Sequence, residues 1–343
     1  MTQSTLIDNS PCEEVSNIIQ AIIKSGIDID GLIGRAPIDG NLGTMDSQNQ
    51  NSSGDTQKKL DVMSNDIMVS HLIESNACSI LISEENDEPI MVDEEHQGNY
   101  IVAFDPLDGS SNIDCNCTIG TIFSISKDSF DDDLSRRILK DGNDMVCAGY
   151  ILYGTTTDFV IAYTGKGTHK YTLDKTLCKF VYTGALDITD KKKKIYSINE
   201  SNYKNWYDDM KMYISEYKVK DTKYTHRYIG SMVGDIHRTL IYGGMFSYPA
   251  DKKNTSGKLR TIYECLPFSK IVEEAGGEAI LGCMSDRRAL DSVPLTIHDR
   301  TPILLGSKEE IAKYRAVLKT FLDESHYHPT EYTWILQNKR LGD

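Results

Sequence analysis

Apolar residues along the chain recur with two periods, one typical of helices and one typical of strands. Spacings of three and four residues predict helices over residues 12–25, 59–75, 231–241, 262–275 and 307–322. The first helix is expected to end at Gly26, since glycine is a common helix terminator. In the last helix, Ser307 and Glu310 have the spacing of a capping box, in which each side chain accepts a backbone N–H of the other residue.

Short runs rich in β-branched and aromatic residues predict strands between these helices. The runs cover residues 79–83, 100–104, 118–124, 146–153, 158–163, 170–181, 195–199, 224–229 and 245–248. Asp105-Pro106 is expected to end the second run, because proline has no N–H to donate to a sheet. The strands of the first half predict a mostly antiparallel or mixed sheet, and helices beside sheets in both halves predict a layered α/β fold.

A run of four lysines at residues 191–194 breaks this pattern. Like charges in a row are typical of a solvated turn or linker. We therefore expect two domains, residues 1–187 and 188–343, with the boundary just before the lysines.

The composition is that of a globular protein with an acidic balance. Of 343 residues, 39% are hydrophobic, and 37 basic against 51 acidic side chains leave a formal charge of −14. This charge disfavours nucleic acid and anionic membranes as partners, so an anionic substrate needs a local basic patch. No stretch approaches the roughly 18 apolar residues of a membrane span. The eight cysteines form no C-x-x-C motif or zinc spacing, which is typical of reduced thiols in the cytoplasm.

The candidate chemistry is concentrated in residues 104–114. Asp105 follows a buried strand, Asp108 comes three residues later, and Gly109-Ser110-Ser111 offers consecutive N–H groups and two hydroxyls that suit an anion. Carboxylates beside a phosphate would repel it unless cations lay between them, so the pattern predicts a divalent metal site, most simply Mg²⁺. The alternative is an ordinary surface turn, since Asp, Gly and Ser are also common turn residues.

A second acidic pair, Glu84-Glu85, follows the predicted strand at residues 79–83. Acids at the tips of two strands can share one edge of a sheet, which is where open α/β sheets usually bind ligands. The pair therefore favours the metal site over the ordinary turn, although adjacent acids by themselves are usually just solvated.

These motifs together resemble a known family. Glu84-Glu85 with residues 105–111 is similar to the lithium-sensitive, Mg²⁺-dependent sugar and inositol phosphatase superfamily. Residues 58–61, 230–238 and 257–264 narrow the resemblance, over about residues 15–322, to the eukaryotic type of fructose-1,6-bisphosphatase. It implies a layered α-β-α-β-α fold and a cytoplasmic homo-oligomer, dimer or tetramer. It also implies hydrolysis of the 1-phosphate of D-fructose 1,6-bisphosphate by metal-activated water, giving fructose 6-phosphate and phosphate in gluconeogenesis.

The resemblance also implies roles for individual residues. The expected metal ligands are Glu84, Glu85, Asp105, Asp108, Glu264 and the backbone carbonyl of Leu107, which would hold two or three Mg²⁺ ions, with Mn²⁺ or Zn²⁺ as possible substitutes. The residues expected to contact substrate are Asp108, Gly109, Ser110, Ser111, Asn199, Arg227, Tyr228, Met232, Tyr248 and Lys258. Arg227 is expected to serve the neighbouring subunit. On spacing alone, Glu264 is equally well explained as an acid at a helix N-terminus.

Three acids are expected to serve the attacking water. Glu85, with Asp61 behind it, is expected to orient and deprotonate the water. Asp55 belongs to a polar loop at residues 41–55, which in the resembled family closes over the substrate. A disordered connection is the alternative for this loop.

Two departures from the family concern regulation by AMP. Asn99-Tyr100 stands where AMP-inhibited members have a lysine-tyrosine pair, and Lys127 stands where they have an arginine. Asn99 lacks the positive charge of that lysine, and Lys127 cannot bind a phosphate through two parallel N–H groups as an arginine does. We therefore predict weak or absent inhibition by AMP. Residues 128–145 contain no cysteine, so the regulatory disulfide of plastid members is not expected.

Two alternative functions are also compatible with the sequence. Sedoheptulose-1,7-bisphosphatase is closely similar, and a difference of one carbon in the sugar can be discriminated by only a few side chains. Residues 58–61 and Tyr248-Pro249 look more like the fructose enzyme, whereas residues 224–228 are compatible with either. The second alternative is a non-catalytic phosphate-binding regulator, against which the complete carboxylate set argues.

Overall fold

The computed structural model describes residues 10–44, 58–191, 193–220 and 223–324. Of the predicted loop at residues 41–55, only 41–44 are described, and Asp55 and the tail at residues 326–343 lie outside the described residues. The chain divides into two compact units. The first unit comprises Met1–Ile138, Asp144–Leu186 and Ile229–Gly234, and the second comprises Leu139–Asn143, Asp187–Tyr228 and Asp235–Asp343. The boundary expected between residues 187 and 188 stays a prediction.

The first unit is built on one mixed sheet. Its strands are β1 (Cys78–Ser83), β2 (Ile90–Met91), β3 (Tyr100–Asp108), β4 (Ile119–Lys127), β5 (Met145–Tyr153), β6 (Thr157–Tyr163), β7 (Gly167–Asp174) and β8 (Lys179–Leu186). They form an eight-stranded sheet in the order β2-β1-β3-β4-β5-β6-β7-β8, in which β1 and β3 run parallel and the other neighbours run antiparallel. The helices are α1 (Glu13–Asp39), α2 (Lys59–Glu74) and α3 (Leu134–Ile138).

The second unit contains a smaller mixed sheet. Its strands are β9 (Ile195–Ser197), β10 (Thr225–His226), β11 (Met245–Tyr248), β12 (Leu259–Arg260), β13 (Glu278–Ile280), β14 (Arg300–Thr301) and β15 (Ile303–Gly306). Five strands pair in the order β10-β9-β11-β15-β13, and β12 pairs with β14. The helices are α4 (Asp208–Ser215), α5 (Met232–Tyr242), α6 (Leu266–Glu274) and α7 (Lys308–Glu324), the first residues of α5 being assigned to the first unit.

Helix α1 does not end at Gly26 as predicted, because it continues to Asp39. An added Cβ at Gly26 would lie 2.3 Å from Cδ1 of Ile151 on β5, so this glycine permits close packing of the helix on the sheet. The helix ends instead at Gly40, whose φ of 72° is the left-handed conformation that glycine adopts readily. A glycine at position 26 is therefore explained by the close packing of α1 on the sheet, and not by helix termination.

Strand β3 does not end at Asp105 as predicted, because it continues through Pro106 to Asp108. Its pairing with β4 shifts register between Asp105 and Asp108, which is the signature of a bulge. A bulge accommodates proline, since the missing N–H falls outside the regular ladder. The hydroxyl of Thr121 on β4 donates to the carbonyl oxygen of Pro106 at 2.9 Å and holds the bulge in place.

The predicted strand at residues 170–181 is two strands, β7 and β8, joined by a tight turn. The carboxylate of Asp174 accepts hydrogen bonds from the N–H groups of Thr176 (2.9 Å) and Leu177 (3.1 Å). These two bonds take the place of the hydrogen bonds between strands, and the chain reverses direction here.

The capping box predicted at Ser307 is wrong. The Ser307 N–H donates to the carbonyl oxygen of Gly244 at 3.1 Å, so it is not available to Glu310. The carboxylate of Glu310 is buried and accepts hydrogen bonds from the hydroxyls of Tyr217 and Tyr224 instead. Ser307 and Glu310 therefore form hydrogen bonds with residues distant in the chain and not the capping box with each other.

Each unit has its own hydrophobic core. In the first, the apolar face of α1 packs with strands β3 to β8, and in the second Met210, Tyr213 and Ile214 of α4 pack with α7 and β15. Among the described residues, no helix combines the length and apolar character needed to cross a bilayer.

Candidate active site

The carboxyl ends of two parallel strands carry the acidic residues of the first unit. Ser83, the last residue of β1, pairs with Phe104 of β3, and the N–H of Glu84 donates to the carbonyl oxygen of Phe104 at 3.2 Å. Glu84-Glu85 therefore leaves the sheet beside the point where Asp105 begins the bulge of β3. The expectation that the two acidic tips share one edge of a sheet is confirmed.

Asp105 and Asp108 are both buried in this bulge, at 2% and 8% exposure. Each offers a carboxylate oxygen within 4.8 Å of the other. Asp105 also accepts a hydrogen bond from the N–H of Leu107 at 2.9 Å, which orients its carboxylate. Two buried carboxylates this close repel each other, and a bound cation would offset both the repulsion and the cost of burial. The donor set of carboxylate oxygens suits Mg²⁺.

Asp108 lies at the N-terminus of helix α5. Its Oδ2 accepts hydrogen bonds from the hydroxyl of Ser231 and from the N–H of Val233, both at 2.9 Å. The positive end of the helix favours a carboxylate here. Met232, which we expected to contact substrate, lies between these two donors and is buried. Sequence reasoning did not assign a role to Ser231, although a serine directly before a helix is a signal for such a contact.

Gly109 begins the turn that follows Asp108. Its φ is 85°, and an added Cβ would lie 2.9 Å from both Cβ and Oγ of Ser231, so only glycine fits. Ser110, Ser111 and Asn112 then form a 3₁₀ turn in which the Asn112 N–H donates to the Gly109 carbonyl at 2.7 Å. The predicted turn is present, and it packs against the helix terminus that Asp108 caps.

Asp61 is a buried acid in the first turn of α2. Its Oδ2 accepts the N–H of Lys58 at 3.0 Å, and its Oδ1 has no hydrogen-bond partner among the described residues. Burial raises the pKa of this carboxyl to about 7, and the charge of Glu84 adds to the rise, while the Lys58 N–H opposes it. An acid of this kind can exchange a proton near neutral pH.

A network that sequence reasoning missed holds the Glu84-Glu85 segment. The hydroxyl of Ser83 donates to Oδ1 of Asn65 at 2.6 Å and accepts the N–H of Glu85 at 3.2 Å. Asn65 in turn donates to Oδ1 of Asn86 at 2.9 Å. The sequence contained one indication of this role: Asn65 lies one helical turn after Asp61, so the two side chains lie on the same face of α2.

The second unit also presents polar residues at the carboxyl ends of parallel strands. Strand β9 runs parallel to both β10 and β11. Asn199 follows β9, Arg227-Tyr228 follows β10, and Tyr248 is the last residue of β11. Four of the residues expected to bind substrate therefore lie at one edge of the five-stranded sheet.

The backbone at Arg227 is fixed while its side chain is exposed. Its N–H donates to the carbonyl oxygen of Tyr196 at 3.0 Å, and its carbonyl accepts a hydrogen bond from Arg238 at 2.8 Å. Arg238 is held by an ion pair with the buried Asp235 at 2.5 Å, which also accepts the Ser197 hydroxyl at 2.8 Å. The 230–238 motif contains Asp235 and Arg238, but their roles were missed, because the bonds to Ser197 and Arg227 join residues 38 and 11 positions apart.

Lys258 and Tyr248 lie close together. The Nζ of Lys258 is 6.0 Å from the centre of the Tyr248 ring, at the limit of a cation–π contact. The Lys258 ammonium is exposed, and its carbonyl oxygen accepts a hydrogen bond from Arg300 at 2.8 Å. Asn199 and Tyr228 are half-buried, and the Asn199 side chain accepts the N–H of Ser201 at 3.2 Å.

Glu264 is buried in a π-helical turn, Thr261–Cys265, directly before α6. Its Oε2 accepts the backbone N–H of Arg260 on β12. π-helical turns are rare and often accompany functional sites. The bond to Arg260 also supports the alternative that Glu264 satisfies a donor at a helix start.

Two family models match most of the chain. One, described as the fructose-1,6-bisphosphatase N-terminal domain, matches residues 4–185, and the other, described as its C-terminal domain, matches residues 189–319. The cytosolic fructose-1,6-bisphosphatase of Arabidopsis thaliana is 48% identical over 271 residues, 78% of each chain. That of Oryza coarctata is 45% identical over 282 residues, 81% of each chain. The crystal structure of Leishmania major fructose-1,6-bisphosphatase in holo form matches with a TM-score of 0.86 and 39% identity, covering 92% of this chain and 98% of that one.

Proposed function

Because the chain belongs to the fructose-1,6-bisphosphatase family, we propose that it hydrolyses the 1-phosphate of D-fructose 1,6-bisphosphate. The products are fructose 6-phosphate and phosphate. The observation that carries the proposal is the acidic edge of β1 and β3, where Asp105 and Asp108 adjoin the Gly109 turn. The relatives named above are cytosolic fructose-1,6-bisphosphatases, and we place the reaction in the cytosol, as a step of gluconeogenesis.

The metal site is formed by oxygen ligands. The residues that would hold two or three Mg²⁺ ions, or Mn²⁺ or Zn²⁺ in their place, are Glu84, Glu85, Asp105, Asp108, Glu264 and Leu107 through its carbonyl oxygen. The buried pair of Asp105 and Asp108 supports this assignment, because its charges need compensation. Glu264 is assigned by the family resemblance. When bound, the metal neutralises the phosphate charge and stabilises the departing sugar oxygen.

Glu85 and Asp61 prepare the attacking water. Glu85 is held by the Ser83 hydroxyl and orients the water toward phosphorus. Glu85 also deprotonates the water, and Asp61 behind it, whose pKa is raised to about 7, can take up that proton at neutral pH. The water oxygen then bonds to phosphorus as the bond between phosphorus and O1 of the sugar breaks, and a proton returns to the sugar oxygen. Asp55 is assigned to the same step by resemblance and lies outside the described residues.

The substrate phosphates bind to two groups of residues. The 1-phosphate lies on the N–H groups and hydroxyls of Gly109, Ser110 and Ser111, beside Asp108. The sugar and 6-phosphate are held by Asn199, Arg227, Tyr228, Met232, Tyr248 and Lys258. The exposed guanidinium of Arg227 on a fixed backbone suits a residue that serves the neighbouring subunit of a dimer or tetramer.

The test is phosphate release from fructose 1,6-bisphosphate, sedoheptulose 1,7-bisphosphate and inositol 1-phosphate, each with and without Mg²⁺. A Mg²⁺-dependent preference for the fructose ester is expected. A preference for the sedoheptulose ester would keep the mechanism and change the substrate. Absence of turnover with all three esters would overturn the enzymatic proposal in favour of a phosphate-binding regulator.

A further inference from the structure

Two exposed cysteines lie in one turn beside the candidate active site. Cys115 and Cys117 are separated only by Asn116 and belong to the turn that follows the Ser110–Asn112 helix. Cys178 is also exposed, but it has no cysteine near it in the sequence, and the other five cysteines are buried or half-buried. All eight cysteines belong to the described part of the chain, so Cys115 and Cys117 are its one exposed pair of close sequence neighbours.

The turn brings the two cysteines to one point. The carbonyl oxygen of Asn112 accepts both the N–H of Cys117 at 3.0 Å and the thiol of Cys115 at 3.4 Å. The thiol of Cys117 lies 3.9 Å from the carbonyl oxygen of Cys115. Asn116 has a φ of 56°, a left-handed conformation that asparagine tolerates, and it lies in the turn between the two cysteines.

The thiols also interact with each other. A hydrogen bond with the side chain of Cys115 raises the pKa of the Cys117 thiol, and the charge of Cys115 adds to the rise. The two sulfurs are therefore within reach of each other, so one thiol can attack a mixed disulfide formed on its neighbour.

We propose that Cys115 and Cys117 are a redox-active dithiol, which a small disulfide such as glutathione disulfide converts into an intramolecular disulfide that slows the enzyme. In a reducing cytosol, such a bond is transient and serves as a sensor rather than as a structural link. The site differs from an inserted regulatory loop, because it is part of the turn that continues the phosphate-binding segment.

The exchange proceeds in two balanced steps. The Cys115 thiolate attacks one sulfur of glutathione disulfide, the bond between the two glutathione sulfurs breaks, and one glutathione leaves as a thiolate. Cys117 then loses its proton, its sulfur attacks the Cys115 sulfur of the mixed disulfide, and the second glutathione leaves. The two cysteines lose two electrons, and glutathione disulfide gains them and becomes two glutathione thiols.

The effect on rate follows from Asp114, which directly precedes Cys115. Its Oδ2 accepts the ammonium of Lys58 at 2.6 Å, and its Oδ1 accepts the N–H of Gly43 at 3.4 Å. Lys58 in turn donates its N–H to Asp61. A disulfide removes the Cys115 thiol from the Asn112 carbonyl and shifts the turn that holds Asp114. We expect roughly a tenfold lower kcat, since small displacements of catalytic groups are costly.

The chemistry is tested by mapping thiols in the full-length protein after equilibration with glutathione and glutathione disulfide. After alkylation and digestion, the peptide with both cysteines should lack two hydrogens, and Cys178 should carry glutathione or remain free. Cys117→Ser should accumulate a stable glutathione adduct on Cys115. A stable adduct on Cys115 in the unmodified sequence, or a pair that stays reduced while Cys178 reacts, would overturn the proposal.

The effect on rate rests on the proposed function and is measured separately. Oxidised protein should release phosphate from fructose 1,6-bisphosphate about tenfold more slowly, and dithiothreitol should restore the rate. Cys115→Ser with Cys117→Ser should be insensitive to glutathione disulfide, whereas Cys178→Ser should behave as the unmodified protein does. If the disulfide forms and the rate is unchanged, the pair is no switch. If the reduced protein has no activity, the proposed function fails while the thiol result still stands.

Discussion

The polar edges of the two sheets share one architecture but differ in the burial of their charged residues. In the first unit, β1 is followed by Glu84-Glu85 and β3 ends in two buried acids, of which Asp105 accepts the N–H of Leu107 and Asp108 accepts that of Val233. In the second unit, parallel strands end in residues that include the exposed Arg227, and the nearby Lys258 is also exposed. Each edge is at the carboxyl ends of parallel strands, where α/β proteins place ligands.

The difference in burial matches the difference between the two proposed tasks, catalysis and phosphate recognition. Groups that break a bond need fixed positions and little competing water, and such groups cost stability when no ligand is bound. Asp61 illustrates the cost, because burial raises its pKa to about 7. Cations that only recognise a phosphate can stay hydrated until the ligand arrives, and their long side chains then close on it. The buried edge should therefore control kcat, and the exposed edge should control KM.

The largest effect is expected for Asp108→Asn. The amide oxygen can still accept hydrogen bonds from Ser231 and Val233, so the helix terminus stays capped, but the charge that would hold the metal is lost. Steady-state phosphate release should show a kcat lower by about 100- to 1,000-fold. The matched control is Glu94→Gln, an exposed acid of the same unit, which should leave kcat unchanged. Equal activity of the two variants would remove Asp108 from the metal site.

The second prediction concerns stability against pH at Asp61. Because burial raises the folded-state pKa to about 7, the folded protein keeps a proton that the unfolded chain loses above its ordinary pKa of 3.8. As the pH rises from about 3.8 to about 7, the Asp61 carboxyl therefore lowers the free energy of unfolding. The loss reaches on the order of 4 kcal/mol once the group is ionised in both states. Asp61→Asn removes that penalty. The variant should be more stable than the unmodified protein at about pH 8, and yet slower.

The measurement is the melting temperature in EDTA at about pH 5 and about pH 8. Between these values the unmodified protein should lose more thermal stability than Asp61→Asn does. Asp66→Asn changes an exposed acid on the same helix and should follow the unmodified protein. Parallel pH dependence of Asp61→Asn and the unmodified protein would show that Asp61 has an ordinary pKa.

A smaller effect is expected for Lys258→Met. Lys258 is exposed and lies near Tyr248, so its replacement should remove the proposed phosphate contact without disturbing buried groups. KM for fructose 1,6-bisphosphate should rise about tenfold, with kcat nearly unchanged. Lys204→Met removes another exposed lysine of the same unit and should alter neither constant. A fall in kcat with an unchanged KM would reverse the division of labour between the two edges.

The smallest effect is expected for AMP. The Asn99 amide donates to the Glu14 carboxylate at 2.7 Å, and a carboxylate here disfavours an incoming phosphate. Lys127, at the end of β4, pairs in register with Tyr100 and offers no bidentate fork. An AMP titration of phosphate release should show inhibition of less than about twofold at saturating nucleotide. Strong inhibition would contradict the prediction, and Asn99→Lys with Lys127→Arg should increase the response.

The local chemistry of the site could be predicted from the sequence, because it depends on residues close in the chain. The acids after two strands, the turn at Gly109 and the cluster of tyrosines and cations around Tyr248 and Lys258 were visible as residue types in order. Hydrophobic periodicity also located the principal helices and most strands. The ends of those elements were less certain, since propensity is weak there and distant contacts decide.

The supporting contacts could not be predicted in the same way. Asn65 reaches Ser83 across 18 residues, and Asp108 reaches Ser231 across 123. Such pairs depend on which strands become neighbours, and no local pattern specifies that. The bond from the Cys117 N–H to the Asn112 carbonyl likewise follows a left-handed residue, Asn116, which no pattern in the sequence predicted.

By itself, then, the sequence determined the kinds of groups and the elements that carry them, through periodicity, strand tips and turn residues. Only the tertiary structure decided that α1 runs through Gly26, because Ile151 occupies the space of a side chain there. It also decided that the Asp61 carboxyl is buried, and burial is what raises its pKa. The physical reason is common to both cases: packing and desolvation depend on residues that the fold brings together, and these lie far apart along the chain.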